Sequence, residues 1–122
     1  MHRALATLAP VTSVFRATVR GRFGDLADDV RRYLVGAQAE HDIGVSAYTP
    51  EGTFVYDGQV DFFNLRYEVR AADADAAGAS ALSEAEAFLR TLRIPHRALK
   101  VSVVDMATMW DAAERRSRGR QP

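Results

Sequence analysis

The sequence predicts an α+β fold: a four-stranded antiparallel sheet with two helices on one face, in the order βαββαβ. Three observations carry this. Stretches 13–22 and 63–70 alternate apolar and polar residues, the period of a half-buried strand. Stretches 25–41 and 75–93 space apolar residues three and four apart, the period of an amphipathic helix. Asp57-Gly58, between "TFVY" and "QVDFF", is a two-residue hairpin signal that makes the middle strands consecutive.

In the first strand Phe15, Ala17 and Val19 form the inward set, alternating with Arg16, Thr18 and Arg20. "GRFGD" then reads as a turn, with Asp25 as the N-cap of a helix and Asp28 supporting its free amides. Leu26, Val30, Tyr33, Leu34 and Ala37 make that helix's apolar face, which runs to His41. Folding about Asp57-Gly58 sets Tyr56 against Gln59 and gives two arms, 44–56 and 59–71. "TPEG" is either a second hairpin or, the preferred reading, a kink in the first arm. Pro50 cannot donate to a ladder, so this arm belongs on a sheet edge, with Gly52 taking any positive φ. Phe63, Leu65, Tyr67 and Val69 point in from the second arm. Ala81, Leu82, Ala85, Phe88, Leu89 and Leu92 form the second helix's stripe, which Pro95 stops. The last strand, 98–105, turns Leu99, Val101 and Val103 inward, and Met106, Met109, Trp110 and Ala113 match one side of a terminal helix.

This is the split βαβ order of ferredoxin-like folds, with the first and third strands central. The expected organisation is one domain over 13–110, an N-terminal extension over 1–12, partly disordered, and a basic flexible tail over 111–122.

Composition narrows the function. Of the 122 residues, sixteen are basic and sixteen acidic, so net charge gives no support for binding nucleic acid or a membrane surface. The absence of cysteine excludes disulfides, thiolate chemistry and Cys-type zinc sites. With only His2, His41 and His96 as histidines, no metal site and no cofactor is predicted. No apolar run approaches the ~20 residues of a membrane span. "MHRALATLAP" has too short an apolar stretch for a signal peptide, so a cytoplasmic protein is expected.

Two helices cover one face of such a sheet, and the outward positions determine what the other face does. They are Arg16, Thr18 and Arg20 on the first strand, Asn64, Arg66, Glu68 and Arg70 on the third, and Lys100 and Ser102 on the last. One reading is a solvated face whose Arg and Glu pair across strands. The other is a site for an anionic or enolisable small organic molecule, or half of a dimer cavity. Arg20 and Arg66 would anchor the ligand because guanidinium forks match carboxylates. Tyr48, Tyr56 and Phe62 either wall the site or pack at the sheet edge, with Arg16 and Glu68 beside it. Glu68, flanked by Arg66 and Arg70, is expected to stay ionised in a structural role.

The sequence invites comparison with three families. The RNA-recognition motif shares the layout, but it stacks bases on outward central aromatics, whereas Phe15, Phe63 and Tyr67 point inward here. "VRGRFGDLADDVRRYL" with "TPEGTFVY" resembles acylphosphatase at the level of fold. Asp25, Asp28 and Asp29 at the helix start oppose the phosphate that family binds there, and its second-strand Asn is missing. "FRATVRGRF", "EHDIGVSAYTPEGTFVYD", "FFNLRYEVR" and "VVDMATM" resemble a family of small actinobacterial proteins known only as a domain of unknown function. That resemblance covers about 15–106 and implies no activity.

His41 is the one catalytic candidate, a histidine ending a helix. It either caps that end or acts as a general base oriented by Asp42 or by a strand residue. The reading that follows is a small-molecule-binding homodimer. If catalytic, it would use acid–base chemistry without a cofactor, as small α+β cyclases and isomerases do. The rival is a non-enzymatic protein-binding or assembly module using the open sheet face or the Met/Trp segment.

Overall fold

A computed structural model describes residues 12–44 and 47–109 of the chain. Its elements in order are β1 (Ser13–Phe23), α1 (Asp28–Ala37) with a 3-10 turn (Gln38–His41), β2 (Thr53–Tyr56), β3 (Phe62–Ala71), α2 (Ala74–Thr91) and β4 (His96–Asp105). The strands form one antiparallel sheet in the order β2-β3-β1-β4, with β1 and β3 central.

The alternation in β1 and β3 sets the inner face. Phe15 lies opposite Val69, Ala17 opposite Tyr67, Val19 opposite Leu65 and Gly21 opposite Phe63. These meet Ala81, Ala85 and Leu89 from α2 and Leu34 from α1 in one core, so both helices shelter the same side of the sheet. Gly21 is not in a turn, as "GRFGD" suggested, but inside β1. A Cβ there would lie 2.6 Å from the Phe63 ring and 2.8 Å from Leu99, so glycine lets both side chains close over the strand.

The first helix starts three residues later than Asp25. Gly24 N–H donates to the Pro95 carbonyl at 2.7 Å, which ties the chain after β1 to the α2–β4 loop. Extended Ala27 is the N-cap, without a side-chain cap, and Asp25 does not cap the helix. Leu34 is its buried residue, whereas Tyr33, placed on the apolar face by spacing, is 70% exposed. The helix tightens at Gln38, whose N–H bonds the Val35 carbonyl, and continues as the 3-10 turn to His41.

The first arm of the hairpin departs from the expected 44–56. Only Thr53–Tyr56 pairs antiparallel with β3, while Asp42 and Thr49 make isolated parallel bridges to Tyr56 and Tyr67. The chain reverses at Pro50–Gly52, where Gly52 has φ +97° and sits against the Tyr67 ring in a space a Cβ would overlap. The edge position of this strand and the positive φ agree with the reading of Pro50 and Gly52.

The turn is longer than two residues. Tyr56 lies opposite Phe63, not Gln59. Asp57 closes the loop by accepting from the amides of Gln59, Asp61 and Phe62. Val60, at φ 56°, plugs its side chain into the core. The shift of four is even, so every side chain keeps its face.

Asp73 caps α2 by accepting from Ala76 N–H at 2.8 Å, so the helix starts at Ala74, one residue before the predicted start at Asp75. The helix ends at Thr91, with Arg93 at φ 55° and Ile94 N–H bonding the Leu89 carbonyl. β4 begins at His96, two residues before the expected start at 98. It is an open edge: Val103 and Leu99 pack on the core, while Val101 and Val104 are 37% and 45% exposed. Residues 106–109 are helical, with Met106 buried and Met109 exposed. Trp110, Ala113, His2, the tail over 111–122 and all but the last residue of the extension lie outside the described residues. No helix among the described residues is long and apolar enough to cross a membrane.

Candidate functional site

The best-formed site lies on the helix side of the sheet, where α1, the 3-10 turn, β2 and the end of α2 leave a groove of 540 Å³. Leu34, Phe54, Phe88, Leu92 and Ile94 make it apolar, and Asp29, Tyr33 and His41 supply its polar groups.

His41 is held from two sides. Its Nδ1 lies 2.8 Å from the Phe54 carbonyl, which can only accept, so Nδ1 carries the proton. Nε2 is then the lone-pair nitrogen of the neutral ring. The imidazole stacks on Tyr56 (centroids 5.7 Å apart, 18° between planes) and meets Phe54 at 5.8 Å. A strand carbonyl therefore orients this histidine. Asp42 does not, because its Oδ1 accepts from Gly44 N–H at 2.8 Å.

Tyr56 belongs to this side as well. It is fully buried, and its hydroxyl donates to the Leu34 carbonyl at 2.6 Å. As a wall for the outward face it is corrected: it points to the opposite side of the sheet from the arginines. Burial chiefly, then the Tyr33 and Glu40 charges, raises its phenol above the ordinary range.

On the other face the expected grouping is partly met. Arg16 and Arg66 both lie over the Tyr48 ring, at 5.1 and 6.0 Å from its centroid, so they share one surface. Tyr48 comes from the segment after α1 and crosses the sheet, its hydroxyl 2.9 Å from Thr18 Oγ1. Arg66 donates to the Ile43 carbonyl at 3.1 Å. In the amide orientation its neighbours dictate, Asn64 Oδ1 accepts from Arg66 at 3.3 Å. These contacts make Arg66 and Tyr48 the tether of that segment. Glu68 stands exposed opposite Arg16.

Arg20 lies apart from them. It lines a separate cleft of 580 Å³ with Gly21, Arg22, Phe62, Ala98 and Lys100. Sequence reasoning passed over Arg22, taken as part of a turn. It also missed Asp29 and Tyr33 as groove residues, which no local pattern marks. Among the described residues no group of three or more His, Asp or Glu side chains is placed to hold a metal.

Comparison of the chain with curated proteins and with solved structures gives no match. A family model does match, over residues 11–118, and its description is a family of unknown function, DUF6204. That span is nearly the whole chain and contains both the groove and the outward face: the protein belongs to the DUF6204 family.

Proposed function

We propose that this protein binds a small, largely apolar organic molecule in the groove beside His41, and that His41 serves there as a general base without a cofactor. The observation that carries this is the hydrogen bond from Nδ1 to the Phe54 carbonyl, which leaves Nε2 as a base at the wall of an apolar groove. A proton taken from a ligand's O–H or activated C–H moves to Nε2, and the Phe54 carbonyl keeps the imidazolium in place. The order β2-β3-β1-β4, with both helices on one side, supports reading the domain as ferredoxin-like, a layout that hosts such chemistry elsewhere.

The test is an NMR screen of hydroxy-aromatic and 1,3-dicarbonyl fragments on wild type and His41→Asn, which keeps a donor near the Nδ1 position and removes the base. Expected are shifts at Val30, Leu34 and Ile94 in both proteins, with deuterium exchange at the dicarbonyl carbon accelerated by wild type alone. Fragments that bind without moving these methyls, or equal exchange in both proteins, would refute it.

The second reading, assembly of two copies, is favoured by the ten-residue open edge of β4 with Val101 and Val104 exposed. Sedimentation of wild type against Val104→Lys tests it: a dimer lost in the variant supports pairing along β4, and a monomeric wild type ends it.

A further inference from the structure

We propose that the cleft on the outward face of the sheet, around Arg20, Arg22 and Lys100, binds a small phosphate-bearing anion. The groove beside His41 lies on the other side of the sheet, so neither reading depends on the other.

The first argument is cross-strand register. Arg20 lies directly opposite Lys100, and Arg22 directly opposite Arg97. Like charges in opposed positions of an antiparallel pair work against folding. Neutralisation from the third strand does not occur, since β3 places Asn64 opposite Arg20 and Phe62 opposite Arg22. On the outward positions of all four strands the one carboxylate is Glu68, further along β3 beside Arg66 and Arg70. Four cations thus stand together in a chain whose sixteen basic and sixteen acidic residues cancel overall.

The second argument is shape. Between the pairs Arg20–Lys100 and Arg22–Arg97 the ladder slips, so that Ala98 and Leu99 together oppose Gly21. Ala98 adopts φ 60°, a strained value for a residue with a Cβ. This bulge interrupts the ladder where Gly21 and Ala98 line a concave volume of 580 Å³, instead of a flat sheet surface. Phe62, 37% exposed, gives the cleft one aromatic wall.

The third argument is ligand chemistry. Two guanidinium forks and an ammonium present more positive charge than a single carboxylate balances. Tetrahedral phosphate oxygens accept bidentate arginine and point-charge lysine contacts together. A phosphate monoester or pyrophosphate fits, with any planar organic body lying against Phe62.

The experiment is calorimetry and thermal unfolding with inorganic pyrophosphate and with phenyl phosphate. The proteins are wild type, Lys100→Gln, Arg20→Gln and, as a charge-matched control at the far end of β3, Arg70→Gln. Pyrophosphate should raise the wild-type Tm. Its Kd should weaken by about tenfold or more in Lys100→Gln and Arg20→Gln, and stay within about twofold in Arg70→Gln. Without ligand, Lys100→Gln should melt above wild type, because the repulsion with Arg20 is gone. Phenyl phosphate should in addition move the Phe62 ring resonances. No binding at millimolar pyrophosphate, or equal weakening in Arg70→Gln, overturns the proposal. So does a Lys100→Gln protein that melts below wild type while binding as well.

Discussion

Replacing Tyr56 by Phe removes one oxygen and leaves the ring contacts with Phe23, Phe54 and His41 in place. The hydroxyl is the partner of the Leu34 carbonyl at 2.6 Å in a fully buried site. In a regular α-helix that carbonyl would accept from Gln38 N–H. Here the helix has tightened, and the Gln38 N–H bonds Val35 instead. That amide therefore does not replace the lost phenol. A typical net hydrogen bond contributes about 1 kcal/mol, but stranding a buried acceptor costs about 1–3 kcal/mol. The upper half of that range applies because the carbonyl is buried, so we expect a loss of about 2 kcal/mol. For a domain of this size that is roughly a 10 °C fall in Tm. Urea unfolding of wild type and Tyr56→Phe with a common m-value gives the number directly. A loss below about 0.5 kcal/mol, a surface-like value, would show that water or a rearranged Gln38 reaches the Leu34 carbonyl. The Tyr56 hydroxyl would then not be a main tie between α1 and β2, beside the Gln38 side chain that donates to the Tyr56 carbonyl.

Asp57→Ala should cost about 2 kcal/mol, because three loop amides lose their acceptor at once; urea midpoints test it, and a change within error would mean that buried Val60 alone sets the loop. Gly52→Ala should destabilise by more than about 1 kcal/mol, since φ +97° and the Tyr67 ring both oppose a Cβ; a neutral result would show that the Pro50–Gly52 reversal relaxes freely. Burial, with Glu84 adding to it, pushes the Tyr67 phenol up to about 12 from 10.0. A folded-state pKa raised in this way gives stability that is complete below pH 10 and lost as pH rises through about 12. Tyr67→Phe should flatten that alkaline loss in urea titrations, and an unchanged slope would place the cause elsewhere.

Period-two patterning made the central strands legible. Arg16, Arg20 and Arg66 stand on the surface their spacing gave them, and Phe15, Phe63 and Tyr67 on the other. The same rule had already turned Tyr56 inward, since residue 59 and its true partner 63 share a face. Its assignment to the outward wall ran against that register. The hairpin was illegible in detail because "DGQVDF" carries a good two-residue turn signal, while the deciding event is tertiary. Val60 finds a buried slot that compensates its positive φ. Tyr48 over Arg16 was equally hidden, being a contact made by a non-repetitive segment crossing a sheet. His41 was legible as a candidate, but not its orientation, because the Phe54 carbonyl that holds it comes from a strand whose register was four residues off.

A net charge of zero conceals a segregation that the fold makes physical. Within the two helices, Asp28, Asp29, Asp75, Glu84 and Glu86 outweigh Arg31, Arg32 and Arg90, while the outward strand positions hold cations with Glu68 as their one carboxylate. The sheet separates these two populations by the thickness of a core, so the molecule presents opposite signs on its two faces. Such a field draws small anions toward the arginine side and away from the groove beside His41. It also weakens as salt rises, on the scale of a Debye length of about 10 Å at 0.1 M. The two proposed sites therefore differ in charge before any ligand makes contact: the helix-side groove is lined chiefly by apolar side chains beside His41, and the strand-side cleft by Arg20, Arg22 and Lys100. A protein handling a molecule with both an apolar body and a phosphate could use each side for one of them only if two copies meet, because no single ligand spans the sheet.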